Sequence, residues 1–175
     1  GESTFSGVFD AGAGERVTLG GVVADLDSAD SEWSIQLIPE ITEEVIMPME
    51  SEWSYLDDGS DQGTAWTAPD YDDAAWATGN GKFGYGEAGL GTEFGFGPGS
   101  GNKFIRSYFR TVGDIPDPGV YTDFRVRFLR DDGIAVCANG TEGTRDNLPA
   151  NAAFDTPASS GIAGSKEREP VEGPV

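Results

Sequence analysis

Short apolar runs, cut every few residues by Gly, Pro, Asp or Asn, extend along the whole chain, and no stretch sustains helical periodicity. That pattern predicts an all-β protein. Residues 17–26 form a candidate strand, broken by Gly20-Gly21. Residues 33–37 alternate, with Trp33, Ile35 and Leu37 on one face. Residues 41–49 are ambiguous: Glu43-Glu44 suits the opening of a short helix, but Pro39 and Pro48 bracket the segment. Residues 53–56 read as a strand that ends in the turn cluster Asp57-Asp58-Gly59-Ser60-Asp61. Residues 67–76 are polar with aromatic punctuation, and residues 79–101 form a long Gly-rich loop carrying Phe83, Tyr85, Phe94 and Phe96.

The second half holds the clearest strands. Residues 104–112 are expected to place Ile105 and Phe109 on one side, and Arg106, Tyr108 and Arg110 on the other. Residues 123–130 alternate more sharply, with Phe124, Val126 and Phe128 inward and Arg125 and Arg127 outward. Asp131-Asp132-Gly133 then turns the chain into residues 134–138. Asn139-Gly140 is a strong two-residue hairpin signal; with Thr141 it is also a glycosylation sequon, and the hairpin explains it without one. Beyond residue 155 the chain is Ser, Gly, Pro and charge, and residues 166–175 read as an unstructured tail.

Charge narrows the choice of partner. The chain has 175 residues, 31 acids, 11 bases and no histidine, for a net charge of −20. Residues 1–81 contain 18 acids and one base, Arg16, so the excess is concentrated there. A surface this acidic repels phosphate backbones, which argues against nucleic acid. It suits an extracellular or high-salt setting and attracts divalent cations. No apolar run approaches the ~20 residues of a membrane span. Without His, and with the single Cys137, neither a His-based triad nor a thiolate zinc cluster can be built from this chain. Cys137 reads as a small buried hydrophobe.

Several phrases, in order, carry a family resemblance. They are Trp53-Ser-Tyr-Leu-Asp-Asp-Gly-Ser-Asp-Gln-Gly-Thr-Ala-Trp66, Tyr71-Asp-Asp-Ala-Ala-Trp76, Phe83-Gly-Tyr-Gly86, Tyr108-Phe-Arg110, Leu129-Arg-Asp-Asp-Gly133 and Asn139-Gly-Thr-Glu142. Together they resemble the galactose-binding-like jelly-roll β-sandwich modules of large secreted bacterial proteins. They are also similar, more weakly, to the sugar-binding domain of family 2 glycoside hydrolases. The resemblance covers roughly residues 50–155 and implies a sandwich over residues 49–160. Residues 1–48 would then be an acidic segment of added strands or linker, and residues 161–175 a flexible polar tail. Such modules usually close with a further strand pair, so the C-terminal edge is expected to be incomplete. Residues 1–48, a neighbouring domain or chain, or strand exchange would have to cover it.

Three chemistries follow. Calcium takes six to eight oxygens from a tight loop, and the resemblance implies a structural ion. Asp25, Asp27 and Asp30, with Glu32 beside them, form one acidic cluster, Asp57, Asp58 and Asp61 a second, and Asp70, Asp72 and Asp73 a third. The competing reading is that Asp favours turns. Carbohydrate binding needs flat aromatic faces beside groups that hydrogen-bond hydroxyls. Trp66, Phe94 and Phe96, with Arg110, Asp131 and Asp132, are the candidate ligand contacts, whereas Trp76 and Tyr85 read as core. Catalysis would need carboxyls converging across a substrate. Adjacent Asp131 and Asp132 point apart, so no enzyme is expected. The function these residues suggest is a non-catalytic extracellular carbohydrate-binding module stabilised by calcium. The alternative is a structural subunit of a filament or oligomer built by strand exchange or edge pairing.

Overall fold

A computed structural model describes the strand backbone of residues 3–10 and 16–23, and residues 43–175 in full. The described residues are rich in strand and contain no α-helix, only short 3-10 turns, so the fold is all-β. Contacts divide the chain into two units, Gly1–Glu43 and Glu44–Val175. The division falls slightly before the 48/49 boundary expected from sequence.

In the first unit, β1 (Ser3–Asp10) pairs antiparallel with β2 (Arg16–Val23), in register from Ser3↔Val23 to Asp10↔Arg16. The expected break at Gly20-Gly21 does not occur, because ladder pairing carries both glycines through the strand. The expected strand at 33–37 and the candidate ligands Asp25, Asp27 and Asp30 lie outside the described residues.

The second unit is built around a three-stranded antiparallel sheet. β3 (Glu52–Leu56) is central, flanked by β4 (Ala77–Asn80) and, after the two-residue parallel pair β5 (Phe83–Gly84) and β6 (Thr92–Glu93), by β7 (Tyr108–Arg110). Residues 43–49 form neither helix nor strand; a turn closed by Ser51 N–H to the Pro48 carbonyl (3.1 Å) leads into β3.

Both faces of this sheet carry aromatic rings. On one, Tyr55, Phe83, Phe94 and Phe109 cluster with centroids 5.0–6.4 Å apart. On the other, Tyr108 is the most buried of the described hydrophobics, at 2% exposure. This corrects the expectation for residues 104–112. Only Tyr108–Arg110 is strand and Ile105 is 55% exposed, while Phe109 and Tyr108 keep the opposite sides expected of them and the Tyr108 side is buried. The reason is that the loop carrying Trp66, Tyr71 and Trp76 folds over it, with the rings of Trp66 and Trp76 at 5.1 and 6.2 Å from Tyr108.

β8 (Arg125–Phe128) follows the expected alternation: Phe128 is buried, and Arg125 and Arg127 are exposed. β9 (Ile134–Ala138) and β10 (Thr141–Asp146) form the expected hairpin. Asn139 (φ 49°) and Gly140 (φ 85°) take the left-handed conformations that a tight hairpin turn requires.

The tail expected at 166–175 is corrected as well. A 3-10 turn at Gly164–Arg168 leads into β11 (Val171–Pro174), which pairs antiparallel with β8. Composition conceals this strand, because its contacts are polar and glycine-based rather than apolar. Glu172 receives Arg125 and Arg127, each at 2.9 Å. Gly173 is buried against Thr144, and a Cβ on Gly143 would lie 2.6 Å from the Val175 Cα. Thus β10 and β11 approach at two glycines that leave no room for a side chain.

Candidate functional site: a polar cleft at Arg110

Strand register sets the site. Across the central sheet Thr78, Ser54 and Arg110 are direct neighbours, Ser54 pairing with both of the others, so their side chains share one face. Arg110 then folds under the loop above it. Its Nε donates to Asp73 Oδ2 (3.1 Å), and its Nη1 donates to the carbonyls of Trp66 and of Ala68, the latter at 3.1 Å. The guanidinium lies 5.2 Å from the Tyr71 ring centroid. The same loop is tied down by Gln62, whose N–H donates to the Tyr108 hydroxyl (3.3 Å) and whose Oε1 accepts from the Tyr71 hydroxyl (2.9 Å).

The Arg110 side chain is only 10% exposed, and three of its bonds are structural. Its remaining nitrogen, Nη2, has no partner among the described residues. No buried side-chain nitrogen or oxygen among the described residues lacks one, so Nη2 must reach solvent. Arg110 lines a cavity of about 170 Å³, together with Glu52, Trp53, Ser54, Asp73, Thr78, Thr111 and Val112. Thr111 is engaged, donating to the Glu52 carbonyl (3.0 Å). The hydroxyls of Ser54 and Thr78 and the Oδ1 of Asp73 have no partner among the described residues. The cleft is therefore lined by one guanidinium, two carboxylates (Asp73 and Glu52) and the hydroxyl residues Ser54, Thr78 and Thr111, held by a sheet and a pinned loop.

A second cluster gathers other candidates. The Tyr85 ring stands 4.8 Å from Phe96 and 5.8 Å from Phe94, and Phe94 continues inward to Phe109 at 5.7 Å. Lys103 Nζ lies over Tyr85 at 4.9 Å and donates to its hydroxyl at 3.2 Å. Asp131 is close enough to feel Lys103. Its carboxyl is nonetheless pushed above the usual carboxylate range, first by burial and then by the charges of Asp132, Glu167 and Glu87. Asp132 Oδ1 accepts the Ile162 N–H at 2.5 Å.

Of the residues singled out from sequence, Arg110 lines the cleft. Phe94, Phe96, Asp131 and Asp132 belong to or adjoin the second cluster. Trp66 packs on Tyr108, and Trp76 and Tyr85 are half-buried. The Asp57, Asp58 and Asp61 carboxylates turn toward backbone. Asp57 accepts from Gly95, Asp58 from Ser60 and Asp61 from Gly63. The Ser60 bonds hold Asp58 below the usual carboxylate range. Among the described residues no three Cys, Asp or Glu converge as metal ligands. Reasoning from sequence missed Asp73, Ser54 and Thr78. Asp73 was grouped with its acidic neighbours, and nothing marks Ser54 or Thr78 before the register brings them beside Arg110. No protein-family model, curated protein or solved structure matches this chain.

Proposed function

We propose that this chain is a non-catalytic carbohydrate-binding module of an extracellular protein, built on a jelly-roll sandwich. The observation that supports this most is the Arg110 cleft. The Arg110 side chain, nine-tenths out of solvent, lines it with Ser54, Thr78 and Asp73 and has one nitrogen without a partner among the described residues. A concave site with a few convergent polar groups on a rigid support is the usual form of a small-ligand site. A nitrogen that reaches solvent is free to donate to a ligand oxygen such as a sugar hydroxyl.

A glycan array spanning plant, algal and microbial polysaccharides, run with calcium present, tests the reading. Binding to at least one glycan class is expected, and silence across the array rejects it. Calcium enters as a proposed stabilising ion. Its binding to the folded state alone would raise the melting temperature, so an unchanged melt on adding EDTA rejects it. Among the described residues β1 and β2 pair only with each other, and a two-stranded sheet by itself is marginally stable in water, which favours a second reading, self-assembly by edge pairing. A strictly monomeric mass by light scattering at high concentration rejects that one.

A further inference from the structure

We infer that β9 is an interaction edge to which a second copy of this chain adds its own β9, antiparallel, to form a closed dimer. The inference is independent of carbohydrate binding and gives the edge-pairing reading a definite edge. Among the described residues β9 has one strand partner, β10. Ala138 faces Thr141 across the two-residue turn, where such a hairpin closes on a hydrogen-bonded pair. Alternation along the strand then turns the backbone N–H and C=O of Ala135 and Cys137 away from β10. No hydrogen bond to these groups occurs among the described residues.

The residues of β9 leave that edge open to pairing. It reads Ile-Ala-Val-Cys-Ala, and among the described strands it is the one without a charged residue, Gly or Pro. Proteins blunt free edges with charge, Pro or distortion, and other strands here carry such residues: Arg125 and Arg127 on β8, Arg110 on β7, Gly79 on β4. Charge then points to a second copy at this place. The chain carries −20, so two copies repel over most of their surface. Residues 125–146, from β8 to the end of β10, hold four bases and four acids and are neutral.

β9 also matches itself. Antiparallel pairing centred on Val136 sets Val136 opposite its counterpart, and Ala135 opposite the counterpart of Cys137. The outward groups of Ala135 and Cys137 then close about four backbone hydrogen bonds across the join. Ile134, Val136 and Ala138 share one face and Ala135 and Cys137 the other, so small and β-branched side chains meet on both. Such a two-fold contact uses the same edge on both copies, so assembly stops at two.

Light scattering of the full chain is expected to show twice the chain mass at high concentration and the single mass on dilution, because one strand pair is a small interface. Cysteine placement reads the register. In a Cys137→Ala background, Val136→Cys faces itself at a Cα separation of about 4.5 Å, within disulfide reach, and oxidation should give a covalent dimer. Ile134→Cys in the same background faces Ala138 and should stay uncrosslinked. Ala135→Pro removes an outward donor and no bond to β10, so it should yield a folded monomer; its melting curve reports folding, and the cysteine pair decides the matter if it does not fold. A monomer at every concentration overturns both this inference and the edge-pairing reading. Crosslinking no faster from position 136 than from 134, assembly that persists in folded Ala135→Pro, or growth beyond the dimer overturns this inference alone.

Discussion

Arg110 makes one ring contact and three hydrogen bonds, and each depends on the planar fork of its guanidinium. Lysine carries the same charge but cannot reach Asp73 and two carbonyls together. Arg110→Lys is therefore expected to cost about 1.5–3 kcal/mol, the worth of charged hydrogen bonds, read as a lowered urea midpoint. Asp131 gives a signed prediction. Its folded pKa is raised, so the folded state disfavours the charged form. The penalty is complete above the folded pKa and absent below the ordinary aspartate pKa. Asp131→Asn should raise the melting temperature at pH 7 and leave it unchanged near pH 3. A stabilisation that persists at low pH would refute this cause. At this scale the sequence was partly legible. It marked Arg110, whose partners lie 37 to 44 residues away and appear only on folding.

The elements divide by how local their signals are. The β9–β10 hairpin and the alternation in β8 were readable, because Asn139-Gly140 and the Phe/Val/Arg pattern act over neighbouring residues. For β7 the alternation was readable but its extent and burial were not, because both of its faces are covered and the covering loop lies elsewhere in the chain. β11 was not readable either. Its pairing with β8 brings Glu172 to Arg125 and Arg127, which hold its carboxyl below the usual glutamate range, Arg125 first. A depressed folded pKa means stability that is complete above the ordinary glutamate pKa and lost as pH falls through the lowered one. Glu172→Gln should therefore lower the melting temperature at pH 7 and have no effect once the wild-type carboxylate is protonated. Gly173→Ala places a methyl against Thr144 and should cost about 1–3 kcal/mol. Wild-type stability in that variant would show that β11 is not packed as described.

At the scale of the molecule, few side chains anchor the second unit. Among the described hydrophobics only Tyr108 and Phe128 are buried, while Val45, Val112 and Val120 are 72%, 80% and 67% exposed. Tyr108→Ala removes the ring on which Trp66 and Trp76 rest and should cost about 3–5 kcal/mol, a large share of the 5–15 kcal/mol typical of a domain. Chemical denaturation would measure it, and a loss below 1 kcal/mol would place the core elsewhere. Taken alone, the sequence determined the all-β class, the turns and the alternation of β8. These follow from backbone geometry and from neighbours within a few positions. Only the tertiary structure decided that Tyr108 lies inside, that the last residues form a strand, and that Ser54, Thr78, Asp73 and Arg110 share one cleft. Those outcomes depend on strand register and loop closure across tens of residues, and no local pattern encodes either.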